Sequence, residues 1–87
     1  MRLCNIGFGN SVNVDRIIAV VSPDSAPIKR LIQSVKEQGG LIDASQGRKT
    51  KSVILTDSAH VILSYLPTKT LSERINGNGE TNEEEIR

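Results

Sequence analysis

The stretch SPDSAPIKRLIQSVKEQGG, Ser22 to Gly40, decides the fold, because the apolar residues change period there. Just before it, Arg16-Ile17-Ile18-Ala19-Val20-Val21 is β-branched and continuous, which predicts a buried strand. Within it, Ile28, Leu31, Ile32 and Val35 recur at the spacing that puts all four on one helical face. Asp24 or Ser25 can accept the free amide hydrogens of the helix start. Pro27 fits the first turn, where its missing N–H is harmless. Gly39-Gly40 ends the helix, since glycine accepts the left-handed conformation of a C-cap.

Outward from this helix the chain returns to strand patterns. Leu3 to Ile6 predicts a short first strand, ended by Gly7 and Gly9. On the other side, Leu41 to Ser45, Val53 to Thr56 and His60 to Leu66 predict three more strands, with Asp57-Ser58-Ala59 as a tight turn. Pro67 stops the last strand, and Thr68 or Thr70 can cap a short helix ending near Ile75. Short connections make the last three strands antiparallel neighbours, with SQGRKTKS (Ser45 to Ser52) at a hairpin tip. The expected class is α+β: a small, mostly antiparallel sheet with one main amphipathic helix and a short C-terminal helix. The helix can cover one sheet face. The other, equally rich in Ile, Val and Leu, has no evident second layer, which predicts packing between subunits.

Length and composition set the frame. At 87 residues there is room for one domain, expected over 1–76, followed by an acidic disordered tail over 77–87. The net charge of +1 hides a split, a body at +4 and a tail at −3. Single Cys4 and single His60 exclude an internal disulfide and any Cys/His-rich zinc site, and they suit a reducing cytoplasm. The longest wholly apolar run, Ile17 to Val21, falls far short of a membrane span, and the N-terminus has no long apolar core. The expectation is a soluble cytoplasmic protein with no membrane partner, no metal and no cofactor.

Three stretches imitate catalytic or nucleotide motifs. GFGN, Gly7 to Asn10, begins like a dinucleotide fingerprint, but Val12 stands at the third glycine position and no helix start follows. GRKT, Gly47 to Thr50, resembles the end of a phosphate-binding loop, yet a strand pattern follows where that motif needs a helix. Asp57, Ser58 and His60 are residue types of a hydrolase triad crowded into one turn, where turn chemistry already accounts for them. Asp43 is expected to be an outward or inter-subunit carboxylate. With no constellation of nucleophile, base and oxyanion donors, an enzyme is not expected.

The cations remain. Arg48, Lys49 and Lys51 sit in the basic loop, Arg16 at the mouth of a strand, and Lys29 and Arg30 in the opening turns of the helix. There they meet the wrong end of the helix dipole. A polyanionic backbone is their natural partner: arginine offers a planar fork for phosphate, lysine a point charge. Phe8 and Tyr65 are the only aromatic residues. Two are too few for a platform that stacks unpaired bases, so duplex backbone fits better than single-stranded RNA. A few phosphate contacts bind weakly, and repeating the loop around a symmetric oligomer multiplies them.

NIGFGNSV at Asn5 to Val12, RIIAVVSPDSAPIKRLI at Arg16 to Ile32 and GRKTKSVILTDSAHVILS at Gly47 to Ser64 closely resemble the RemA family. These are small bacterial regulators of extracellular-matrix genes. The resemblance runs from about Asn5 to Leu66. It implies a non-catalytic DNA-binding transcriptional activator with a LytTR-like protomer, assembled as a ring-shaped heptamer or octamer and associated with the nucleoid. Family members are thought to bend or wrap promoter DNA around a basic rim. In that picture the rim arginines fall on Arg16, Arg48 and position 49, and Pro27 shapes the helix start or a subunit contact. Where the family pattern resembles G-R-R-T-R, this chain has Gly47-Arg48-Lys49-Thr50-Lys51. Charge is kept, but two guanidinium forks are lost.

The resulting expectation is a sequence-tolerant duplex-DNA-binding regulator, with Arg16, Arg48, Lys49, Lys51, Lys29 and Arg30 on the DNA. Its rivals are a binder of structured RNA and a non-catalytic scaffold whose loop holds an acidic partner, such as its own Glu83-Glu84-Glu85.

Overall fold

Ser25 starts the helix that the apolar spacing predicted: its Oγ accepts from the Ile28 amide at 3.3 Å, while Asp24 turns to Ser22. A computed structural model describes residues 1–77. The expected disordered tail lies outside the described residues, apart from its first glycine. The elements in order are β1 (Leu3–Gly7), β2 (Asn10–Asn13), a 3-10 turn (Val14–Arg16), β3 (Ile17–Val21), α1 (Ala26–Gln38), β4 (Leu41–Asp43), β5 (Ser52–Thr56), β6 (Val61–Ser64) and α2 (Thr68–Ile75). Gly39, at φ +84°, closes α1. Its amide and that of Gly40 reach back to the carbonyls of Lys36 and Val35.

The main sheet has the order β3-β5-β6-β4. β5 pairs antiparallel with both β3 and β6, but β4 pairs parallel with β6. The expected run of three antiparallel neighbours is therefore corrected: β6 lies between β4 and β5, and the basic loop is a crossover rather than a hairpin tip. Since β3 and β4 run the same way, β3-α1-β4 is a split β-α-β unit with β5 and β6 inserted between its strands. The sequence pattern showed where each strand but β2 lay, not which neighbour it chose. β3, expected to be buried, is an edge strand. A bulge between Ile17 and Ala19 leaves Ile18 66% exposed.

Alternation along the two central strands feeds two separate cores. Val53 of β5 and Val61 and Leu63 of β6 face α1, where Ile28, Leu31, Ile32 and Val35 cover them. Ile54 and Ile62 face the opposite way, onto Cys4, Ile6, Ala44 and Leu71. That second layer is the β1–β2 hairpin together with α2. The subunit packing predicted from an uncovered sheet face loses its basis, because the chain's own termini cover that face. β2 was the missed element; its sequence, NSVN, has no apolar alternation to mark it.

Specific bonds tie this layer down. The buried Ser64 Oγ donates to the Ile6 carbonyl at 2.9 Å. The Arg2 guanidinium donates to the carbonyls of Arg74 and Ile75 at the end of α2. Arg74 donates to the Asn5 carbonyl at 2.9 Å. Among the described residues no helix is long and apolar enough to cross a membrane.

Candidate nucleic-acid interface

The basic loop is fixed at both ends. Entering it, the Ala44 amide donates to the Leu63 carbonyl at 2.9 Å; leaving it, the Lys51 amide donates to the Ser64 carbonyl at 2.9 Å. It thus arches over the C-terminal end of β6. Beneath the arch, Asp43 accepts from both the hydroxyl and the amide of the buried Ser45, at 2.5 and 2.9 Å. Those two bonds, the hydroxyl first, hold the Asp43 carboxyl below the usual carboxylate range. Asp43 is thereby an anchor of the loop. Gln46 and Gly47 both take positive φ, and the Arg48 amide closes onto the Ser45 carbonyl at 3.0 Å. From this base Arg48, Lys49 and Lys51 are exposed, and among the described residues none of them forms an ion pair.

Register decides which other cations share this end of the sheet. Val21 lies opposite Val53, Val53 opposite Leu63, and Leu63 beside Asp43. The end of β3 therefore stands at the same sheet end as the basic loop, and α1 begins just after it. Lys29 and Arg30, exposed in the opening turns of α1, belong to that end together with the exposed Pro27. No carboxylate occupies the first turn of α1, so nothing on the helix itself offsets these cations at its positive end.

Arg16 is elsewhere. It precedes Ile17, which pairs with Thr56 at the far end of β5. The length of β5, about 13 Å, separates that end from the basic loop. There Arg16 Nε donates to Asp57 Oδ1 at 2.7 Å, and the Asp57 amide donates to the Arg16 carbonyl at 3.0 Å. The fold brings five of the six sequence-selected cations to one end of the protomer and places the sixth at the other.

The turn that resembled a triad is wired differently. Asp57 faces Arg16, while His60 Nδ1 lies 2.8 Å from Ser58 Oγ. Serine, imidazole and carboxylate form no chain.

The two aromatic residues, too few by count to form a platform, meet. Phe8, at the tip of the β1–β2 hairpin, lies 4.7 Å from Tyr65 between ring centroids, at 41°. The Arg48 guanidinium carbon stands 5.9 Å from the centre of the Tyr65 ring. The one signal in the sequence was Gly-Phe-Gly, a bulky residue held between two turn formers; nothing marked Tyr65 as its partner.

The chain matches the family model "RemA-like: Extracellular matrix regulatory protein A-like" over residues 3–75. Among curated proteins it is 60% identical over 77 residues to one from Halothermothrix orenii, covering 88% of this chain and 92% of that protein. It is 56% identical over 86 residues to one from Caldicellulosiruptor saccharolyticus, covering 99% and 85%. It is 54% identical over 84 residues to one from Geobacillus thermodenitrificans, covering 97% of each. All three carry the name "Putative regulatory protein". The matched residues include both sheet faces, the basic loop and both helices, and the chain belongs to the RemA-like family of regulatory proteins.

Proposed function

We propose that this chain is a duplex-DNA-binding transcriptional regulator, an activator of extracellular-matrix genes. It works as a ring-shaped homo-oligomer that bends or wraps promoter DNA along a basic rim. The observation that carries the reading is the anchored arch over β6, which holds Arg48, Lys49 and Lys51 exposed and without ion pairs among the described residues, at the same sheet end as Lys29 and Arg30. Such a cluster neutralises phosphates irrespective of sequence, and the protein acts through backbone charge and DNA shape.

The ring is supported by the sheet itself. Among the described residues β3 and β4 are the two edges of the main sheet, and each carries an exposed isoleucine, Ile18 and Ile42. Two different apolar edges suit a head-to-tail contact, which closes into a ring if the rotation allows. The protein acts in the cytoplasm, on the nucleoid, and needs no cofactor.

The test is fluorescence anisotropy with a duplex of about 60 base pairs across a salt series, since each neutralised phosphate adds a slope of about −0.9 to log affinity against log salt. A steep slope that falls in Arg48→Ala/Lys49→Ala places the loop on DNA. Equal competition by an A-form RNA duplex turns the reading to structured RNA. No binding even at low salt turns it to a scaffold.

A further inference from the structure

The cleft between the hairpin tip and Tyr65 lies beside the basic loop but has a different chemistry. It is a cavity of about 300 Å³ lined by Asn5, Gly7, Phe8, Gly9, Tyr65, Leu66 and Arg74. Its two rings touch, 4.7 Å apart between centroids and tilted by 41°, and Phe8 remains 42% exposed, which leaves part of this aromatic wall open.

The hairpin is built to hold this arrangement. Gly7, Phe8 and Gly9 take three successive positive φ angles, +110°, +57° and +79°. A bulky side chain in that region is uncommon, and such strain persists only where the surroundings over-determine it. Here Asn5 Oδ1 accepts from the Gly7 amide at 2.7 Å, and Tyr65 packs on the bare backbone of Gly7. A Cβ on Gly7 would lie 2.4 Å from Tyr65 Cε1. The Arg48 guanidinium stands over the same tyrosine ring, 5.9 Å from its centroid, just outside the residues that line the cleft.

An aromatic wall with a guanidinium beside it matches the two halves of a nucleotide. A base offers a π-face to stack, whatever its identity, and a phosphate accepts the guanidinium fork. The volume sits at the low end of the roughly 300–1,000 Å³ of small-ligand sites, enough for one nucleotide and too small for two. We propose that this cleft holds a single nucleotide, its base against Phe8 and Tyr65 and its phosphate at Arg48. The inference shares only Arg48 with the DNA reading. Where both hold, occupancy of the cleft withdraws that cation from duplex DNA, and the two ligands weaken each other reciprocally. The nucleotide has two possible sources: a free nucleoside monophosphate, or an unpaired residue within a nucleic acid.

Two probes separate the sources: 2-aminopurine riboside 5′-monophosphate, and a duplex with one bulged 2-aminopurine. Emission of either falls when its base stacks. The expected result is quenching by the parent chain, with affinity about tenfold weaker in Phe8→Ala and in Tyr65→Leu, as loss of one stacking partner requires. Tyr65→Phe, which keeps the ring and the packing on Gly7, should bind as the parent does. Removing the probe's phosphate should weaken binding to the parent and leave Arg48→Ala unaffected.

Quenching of the free monophosphate identifies a free ligand. Quenching of the bulged duplex alone identifies a nucleotide within nucleic acid. No quenching of either probe, or quenching that survives both ring deletions, overturns the proposal. The free-nucleotide arm contains no DNA, and anisotropy with a fully paired duplex tests the DNA reading separately, so each can fail without the other.

Discussion

Arg16 Nε donates to Asp57 Oδ1 at 2.7 Å, so the arginine that the family resemblance puts on the rim is held by a carboxylate of its own protomer. Both side chains are about half exposed, which makes the pair weak: such bridges contribute roughly 0–1 kcal/mol. A phosphate can displace Asp57, but it must compete with it. On the proposed DNA-binding reading, the bond would tune how strongly Arg16 engages phosphate without mattering much to the fold.

Asp57→Asn should therefore leave stability within about 1 kcal/mol of the parent. If Arg16 meets DNA, the same variant binds duplex more tightly at low salt, with a salt slope steeper by up to about 0.9. An unchanged affinity and slope would remove Arg16 from the interface. Urea denaturation and the anisotropy salt series check the two halves independently.

Lys49→Arg/Lys51→Arg separates charge from geometry. Both residues stay cationic, so the salt slope should not move, while restored guanidinium forks should raise duplex affinity several-fold. A steeper slope with no gain in fork-dependent affinity would mean that only the point charges matter at these two positions.

Much of this was legible in the sequence, and the gaps have physical reasons. The α1 stripe, its Ser25 cap and its Gly39 stop are local signals, complete within a few turns. Every strand position except that of β2 was local too. Strand partners were not: short links favour adjacent hairpins, but the eight residues between β4 and β5 are long enough to step over β6. The second layer was missed because β2 lacks an apolar pattern and α2 is short, so the sheet face above them looked uncovered. For the site, the loop cations were visible as composition. Arg16's capture by Asp57 and the meeting of Phe8 with Tyr65 are long-range contacts that no local spacing encodes.

Ser64 joins the two layers under the basic loop. Its hydroxyl donates to the Ile6 carbonyl at 2.9 Å and accepts from the Leu66 amide at 3.1 Å, with the residue fully buried. Ser64→Ala would take this hydroxyl from the buried Ile6 carbonyl and from the part-buried Leu66 amide. The expected loss is about 2–3 kcal/mol in urea denaturation. A loss under about 0.5 kcal/mol would mean that the hairpin does not depend on this bond.

Gly7→Ala tests the hairpin tip. The new Cβ meets Tyr65 Cε1 at 2.4 Å, and φ of +110° is a conformation that side chains avoid. The ring must move or the hairpin must shift, at a cost of roughly 1–3 kcal/mol. Because Tyr65 is the only tyrosine and the chain has no tryptophan, its fluorescence reports the displacement directly. Unchanged emission and stability would show that Tyr65 does not pack on Gly7 in solution.

Asp43 gives the loop a dependence on pH. Two bonds from Ser45, hydroxyl and amide, lower its pKa in the folded chain. A carboxylate whose folded pKa is depressed adds stability that is fully present above its unfolded value, near 4, and is lost as pH falls through the folded value. Protonation removes the charge that draws in Ser45, the buried residue whose carbonyl receives the Arg48 amide. Acid should therefore loosen the base of the arch that presents Arg48, Lys49 and Lys51. Other carboxylates titrate over the same range, so the comparison must be differential. Between about pH 6 and pH 3 the parent should lose more stability than Asp43→Asn, whose uncharged amide has no proton to take up there. Parallel losses in the two proteins would mean that Ser45 does not select the ionised form of Asp43, and that the arch is held by its backbone bonds to Leu63 and Ser64 alone.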